Sequence, residues 1–451
     1  MDKEKFSLFW KDYKKSKAGI LGLAMLLLVL GSALFIFSTT STEDFKKWND
    51  YKHWRNYPKL AGPGWTSLFS GKKIPKHLII KEPEIHQEKA GDLIKVQRVF
   101  EVNFSYDELP KGFSYQYIIR YKGSSPFLVL SVLTPDQREL QLAKPSLPFA
   151  EKEILQEGTV SSVDKDVLRN IAGYFDKEVN TSSELFLNPG TGKIEKGAYK
   201  FFATFYFYNP EDRVEFSQLI IEGKVFGVLG TDVYGRDLWT GIRWGLPAAF
   251  LIGVSVAFLS LIIGLIYGVI SAYSRKPLQE IMSRINYIII CVPVLPFLII
   301  MVAAFGQSLF NIIFYLVVFG WNGIVLVVRE KALQEVHKTH IEDLELEGAS
   351  RSRIIFRHLI PETIPYALVN MVLGVPAAIL SEAGLSFVGL GDPSLPTWGQ
   401  ILHDAQVAGA PALGMWWWVL PPGVAIMLTS LTFGLIAWGL DTTFAPKLRK
   451  T

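Results

Sequence analysis

The distribution of apolar segments constrains this chain more than any other feature. One uncharged run covers residues 18–38. Five more follow in the second half, at residues 246–272, 285–305, 311–328, 364–388 and 416–440, and Glu382 is the only acidic side chain well inside any of them. A helix rises about 1.5 Å per residue, so about 20 apolar residues cross the ~30 Å hydrocarbon core of a bilayer. In lipid a spanning segment must satisfy its own backbone hydrogen bonds, and a helix does so. The chain has 451 residues, 49% of them hydrophobic, and a mean hydropathy of +0.25. Those values fit several spans plus a polar domain. The net charge of +4 is too small to favour a general nucleic-acid role. The single cysteine, Cys291, allows neither an intrachain disulfide nor a cysteine-based zinc cluster.

Charge gives the topology independently. Lys11, Lys14, Lys15 and Lys17 precede the first span, which places the N-terminus in the cytoplasm. That run is too long for a signal-peptide core, and no small-x-small cleavage site follows it. Arg275, Lys276 and Arg284 follow span two. Arg329, Lys331, Lys338, Arg351, Arg353 and Arg357 follow span four, and Lys447, Arg449 and Lys450 end the chain. With six spans all these positions and both termini are cytoplasmic. The expected fold class is an α-helical polytopic membrane protein of six transmembrane helices with an inserted β-rich extracytoplasmic domain. Residues 1–38 form the N-terminus and first span, 39–228 the insert, and 229–451 the remaining spans with a cytoplasmic loop at 330–362.

The insert carries runs rich in Val, Ile, Tyr and Phe starting at Leu93, Phe113, Pro126, Tyr199 and Val214, separated by turn signals such as Asn188-Pro189-Gly190. They predict a sandwich with one helix at residues 165–179. No catalytic or metal constellation emerges. Gly190-Thr191-Gly192-Lys193 is followed by Ile194 and lacks the first glycine of a P-loop. Gly389-Leu390-Gly391 lacks the third glycine of a dinucleotide site. His337 and His340 read as solvated histidines on a surface helix.

The loop from His340 to Glu362 is more informative. Residues 332–346 favour a helix. Gly348 would end it in a left-handed conformation. Ser350 would cap a second helix, and Pro361 would limit that helix's continuation. Two short helices meeting at a glycine on the membrane surface need a partner to cover an apolar stripe. Elsewhere, Glu382 is a candidate for the path or gate, or for a salt bridge within the bundle. Asn322 and Asn370 are candidates for interhelical hydrogen bonds or the path. Pro293 and Pro296 should kink span three. Trp416, Trp417 and Trp418 read as an interfacial belt.

This loop resembles the coupling loop of bacterial binding-protein-dependent ABC importers. Glu342, Gly348 and Pro361 hold that pattern's register, Asp343 and Leu344 replace its two alanines, and His358 stands in the "HLIP" ending of the peptide branch. Gly230, Thr231, Asp232, Gly235, Arg236 and Asp237 form a lead-in to span two that resembles the second permease subunit of dipeptide and oligopeptide importers. Glu382–Gly391, Pro396-Thr397-Trp398-Gly399 and Pro446-Lys447-Leu448-Arg449 are similar to further motifs of that subunit. The resemblance implies a type I importer permease fold and a non-catalytic transport subunit for di- or oligopeptides. It implies a second permease, two ATPase subunits that carry the ATP and magnesium, and an extracytoplasmic binding protein. It implies that residues 342–346 dock on an ATPase. This chain would bind no cofactor or metal itself, and would contact lipid but no nucleic acid. A nickel or sugar permease and a membrane-anchored receptor are the alternatives. The resemblance says little about the insert.

Overall fold

The computed structural model describes residues 9–91, 93–175 and 181–444. The chain divides into two compact units, Tyr51–Trp239 and a helical unit comprising Met1–Asp50 and Thr240–Thr451. The sequence reading set the insert at 39–228, so both limits shift by about ten residues. The stretch after the first helix, α1 (Lys17–Thr39), stays with the helical unit, where Asn49 Nδ2 donates to Pro393 O at 2.5 Å. The lead-in at 229–239 belongs to the β unit. The tail motif at 446–449, its basic residues and the end of the expected helix at 176–179 lie outside the described residues.

The β unit is a sandwich. Its strands are β1 (Leu78–Ile80), β2 (Glu84–Ala90), β3 (Leu93–Phe104), β4 (Gly112–Gly123), β5 (Phe127–Leu133), β6 (Glu139–Ala143), β7 (Ala150–Ser161), β8 (Gly197–Phe207) and β9 (Arg213–Glu222). One sheet has the order β1-β9-β4-β7 and the other β2-β3-β8-β5-β6. Alternation along β4 turns Phe113, Tyr115 and Tyr117 inward. They meet the other sheet through ring pairs. Phe113 lies 5.5 Å from Phe201, Phe100 5.7 Å from Tyr115, and Tyr117 5.8 Å from Phe205. These buried rings are the core. Helix α2 (Lys165–Phe175) covers it with Val167 and Ile171. The sequence reading found β3, β4, β5, β8 and β9 but not β1, β2, β6 or β7. β7 is an edge strand carrying Glu151, Lys152 and Glu153 exposed, so it shows little hydrophobic pattern.

The helical unit contains α3 (Leu238–Tyr273), α4 (Lys276–Cys291), α5 (Val294–Phe305), α6 (Leu309–Gly320), α7 (Asn322–Val336), α8 (Thr339–Leu346), α9 (Arg351–Ile354), α10 (Ile360–Phe387), α11 (Trp398–Val407) and α12 (Trp416–Phe444). Among the described residues five helices are long and apolar enough to cross a membrane, with α6 and α7 forming one of them. The pair α4 and α5, bent by 85°, makes a sixth if it counts as one span. The bend sits at Val292 and Pro293. Pro293 precedes α5 as its N-cap, and Pro296 lies within α5. The expected kink is therefore a full corner.

Helices approach closely at small residues. Gly19 and Gly22 of α1 pack on Gly439 and Ile436 of α12, where an added Cβ would come within 3.0 Å of a neighbouring atom. Gly253 of α3 faces Val375 and Ile379 of α10, and Gly264 and Gly268 face Ile324 and Val328 of α7. Helix α11 was not anticipated. Thr397 caps it, Trp398 Nε1 donates to Ile242 O at 3.0 Å, and Gly399 lies against Ala383. Trp418 is fully buried, so the tryptophan belt is corrected. Trp416 is the exposed member of the three.

One histidine gives the β unit a pH dependence. His77 Nε2 lies 2.8 Å from Asn56 O and donates to it. Burial pushes this imidazole down to about 4, against that bond. Between pH about 6.5 and about 4 the unfolded chain binds a proton that the folded chain does not. The contribution of neutral His77 is therefore full above that window and lost as the pH falls through it. After correction for the slower intrinsic exchange at low pH, protection of the β4 and β9 amides should fall from pH 7 to pH 5, and His77→Gln should flatten that fall. The same fall in His77→Gln would remove His77 as its source.

Candidate coupling corner and bundle cavity

The corner begins where α7 ends. The sequence pattern favoured one helix through 332–346, but the chain turns at His337, and Lys338, in extended conformation, becomes the N-cap of α8. The cause is Glu335. Its buried carboxylate lies 3.1 Å from Lys331 Nζ and 2.6 Å from Lys338 Nζ, so one anion clamps both sides of the turn. Lys331 Nζ also sits 5.0 Å from the centre of the Tyr366 ring on α10. Glu335 was missed because a charged residue in a helical pattern reads as solvated surface.

Helix α8 has two faces. Ile341 and Leu344 turn inward to a cluster containing Val269 and Ala272 of α3, Val328 and Ala332 of α7, Ile354 of α9 and Ala367 of α10. Glu342 and Asp343 are exposed. The three residues at the motif's acidic and two alanine positions therefore separate, Glu342 and Asp343 outward and Leu344 inward. Glu345 accepts from the Tyr273 hydroxyl at 2.5 Å, which ties α8 to the end of α3.

Gly348 ends α8 with φ +77°. Its N–H donates to Glu345 O at 3.0 Å, and the next N–H, of Ala349, donates to Leu344 O at 2.9 Å. Together they form a Schellman motif. Ser350 Oγ then accepts from Arg353 N–H at 3.4 Å, as the expected cap. The expected stop at Pro361 is corrected. The chain is helical from Arg351 to Phe387, and Pro361 sits in the first turn of α10. A π-helical turn at Ile355–Leu359 precedes it and shifts the bonding register, which makes room for a ring without an N–H donor. His358 lies half-buried in that turn.

The lead-in motif forms a knot inside the β unit. Thr231 is fully buried; its Oγ1 accepts from Ala61 N–H at 2.9 Å and donates to Pro58 O at 2.6 Å. Asp232, also fully buried, accepts from the N–H groups of Tyr234 and Arg236 and pairs with Arg236 Nε at 2.5 Å. Burial pushes its carboxyl upward, while Arg236 and the two amides pull against that shift. Gly235 has φ +83° and lies under the carbonyls of Trp54 and Tyr57. Gly230, likewise at positive φ, accepts from Leu238 N–H and so sets the start of α3; Thr231 and Asp237 form a bridge across the turn.

A cavity of about 350 Å³ opens among α3, α6, α7 and α10, lined in part by Ser260, Gly320, Gly323, Asn370, Gly374 and Ser381. Of the three polar candidates from the sequence, Asn370 reaches it. Asn322 and Glu382 lie outside that lining. Asn370 Nδ2 donates to Tyr366 O at 2.9 Å and Asn322 Nδ2 to Phe319 O at 3.1 Å, so neither bond joins two distant helices. Glu382 accepts from Ser386 Oγ at 2.6 Å, one turn along the same helix. Ser260, with its buried Oγ lacking a partner, was missed; a lone serine in an apolar run carries no signal.

The side chain of an alanine at 348 would meet nothing within 4 Å, so its cost is conformational. Gly348→Ala should destabilise the corner by about 1–2 kcal/mol, and Gly348→Asn by less. Hydrogen exchange at the Gly348 and Ala349 amides measures this, and unchanged protection in Gly348→Ala would contradict it.

The family described as binding-protein-dependent transport system inner membrane component matches residues 260–450. The oligopeptide transport system permease protein OppC of Bacillus subtilis is 37% identical over 223 residues, 49% of this chain and 72% of that protein. The dipeptide transport system permease protein DppC of the same organism is 35% identical over 224 residues, 49% of this chain and 69% of that protein. The di/tripeptide permease protein DppC of Pseudomonas aeruginosa is 31% identical, covering 50% and 74%. A solved structure of the MetNI methionine ABC transporter matches with a TM-score of 0.36 and 22% identity, covering 45% of this chain and 95% of that one. With its apolar helices and these relatives, the chain belongs to the binding-protein-dependent transport permeases, as a multi-pass membrane permease subunit of the OppC/DppC-like ABC importer type.

Proposed function

We propose that this chain forms half of the translocation path for di- and oligopeptides, beside a second permease. It performs no chemistry itself; two separate ATPase subunits bind and hydrolyse ATP with magnesium, and an extracytoplasmic binding protein delivers the peptide. The observation that carries this reading is the α8 corner: an acidic outer face on a helix whose inner face enters an apolar cluster shared with α3, α7, α9 and α10. At its end Leu346 is 87% exposed, and Phe356 in the following helix is 59% exposed. Exposed apolar side chains beside Glu342 and Asp343 suit a groove on a partner. Arg275, Arg351, Arg353 and Arg357 share this end of the bundle, which supports its cytoplasmic placement, with both termini there and the β unit outside.

A push on α8 would move its inner cluster as one body. Ile341 and Leu344 belong to one apolar cluster with residues of α3, α7 and α10, and those three helices also line the 350 Å³ cavity. ATP binding would favour one arrangement of these helices by the difference in its affinity for the two. The β unit, outside the membrane, would dock the binding protein or the second permease.

The tagged chain purified gently from its membrane should bring a second permease and two P-loop ATPases. Leu346→Asp should lower ATPase recovery and peptide uptake at least about tenfold, the loss expected when a buried apolar anchor is replaced by a charge, with chain level in the membrane unchanged. Full recovery of ATPases and full uptake in Leu346→Asp would defeat α8 as the docking element. Recovery of the chain alone would defeat the importer reading.

A further inference from the structure

A second cavity, of about 500 Å³, lies between α3, α4 and α7 at the end of the bundle that carries α8. Its lining includes Ser271, Ser283, Asn286, Arg329 and Glu330. Three buried side-chain atoms without a hydrogen-bond partner converge on it: Ser271 Oγ, Asn286 Oδ1 and Arg329 Nε. Ser271 is fully buried and Asn286 is 3% exposed. Buried polar atoms are nearly always paired with protein, water or ligand, and three on one space form a polar lining that a ligand could complete. The volume is far above the ~30 Å³ of a water molecule and falls in the range of about 300–1,000 Å³ for small-molecule sites. Arg329 adds a half-buried cation to this lining, and Glu330, exposed beside it, an anion.

The lining also has a sense. Arg329 can only donate. Asn286 Oδ1 and the Glu330 carboxylate can only accept, Ser283 Oγ donates to Gln279 O at 2.7 Å, and the Ser271 hydroxyl can do either. A bare anion would leave Glu330 opposed, and a bare cation would leave Arg329 opposed.

We propose that this cavity binds a small zwitterion, its oxyanion on Arg329 and its ammonium on Asn286 and Glu330. Two sources carry that chemistry: the free ends of a short peptide, and the phosphoethanolamine headgroup of a lipid. The peptide source rests on the import reading; the site itself does not.

The test uses the full chain, purified with the subunits that accompany it and held without ATP in phosphatidylglycerol nanodiscs. Equilibrium binding of the dipeptide Ala-Ala is compared with that of its doubly capped form, Nα-acetyl-Ala-Ala amide. Native mass spectrometry then reads the lipid retained from nanodiscs that also contain phosphatidylethanolamine. Arg329→Gln and Glu330→Gln should each weaken the zwitterion at least about tenfold, the value of one charge-assisted contact. Ser271→Ala, the mildest structural change, should weaken it several-fold. Sensitivity of Ala-Ala to these variants identifies the peptide source, and sensitivity of retained phosphatidylethanolamine identifies the lipid source. Equal binding of Ala-Ala and its capped form, with phosphatidylethanolamine retention equal in all variants, would overturn the proposal. Binding that is intact in a native chain showing no ATP-dependent uptake would defeat the import reading and leave the site standing.

Discussion

Helix α8 is eight residues long, too short to hold its own conformation in water, so its order is borrowed from the bundle. Two side chains, Ile341 and Leu344, lend it that order by entering the cluster at the ends of α3, α7 and α10. The rest of the corner serves this contact. Glu335 turns the chain so that α8 lies against the bundle, Tyr273 holds Glu345, and Gly348 reverses the chain before α9. Without the inward pair the other three devices would order a helix with nothing to rest on. With it, the outer face is presented on a rigid support.

Buried charge sits at two of the places where the chain changes direction. Glu335 sits at the corner into α8, and Asp232 at the turn into α3. Each is paired with a cation; the Asp232–Arg236 pair, buried on both sides, would cost about 3–5 kcal/mol to break by removing one partner, while the lysines of Glu335 reach solvent and make that pair cheaper. An apolar turn of similar volume could be as stable. It would not fix which backbone amides are satisfied, and Asp232 satisfies two of them while Glu335 joins two lysines across a helix break. The charges specify direction rather than supply stability.

The elements legible in the sequence are those whose physics is periodic or local. The long apolar runs became helices, β4 showed its inward alternation, and Gly348 and Ser350 ended and capped helices where their chemistry required. What was not legible depends on neighbours distant in sequence. β7 is paired along only one edge, so its Glu and Lys residues face solvent and hide its strand character. Pro361 stops a helix only if the preceding turn is α-helical, and the π turn before it removes that condition. Trp418 looks like its two neighbours in sequence, but it alone is fully buried against the bundle.

The polar residues of the helical unit follow the same division. Glu382 drew attention as an acid in a span, yet its bond to Ser386 one turn away gives it a local role at the end of α10 where α11 packs. Arg329 and Asn286 drew less, because each stands close to the expected end of a span. Their placement in space reverses the ranking. Glu382 has its partner, while Asn286 Oδ1 and Arg329 Nε meet across a cavity and have none. In a helix bundle the informative polar group is the one left unsatisfied beside a space, because only a ligand or a trapped water can complete it there.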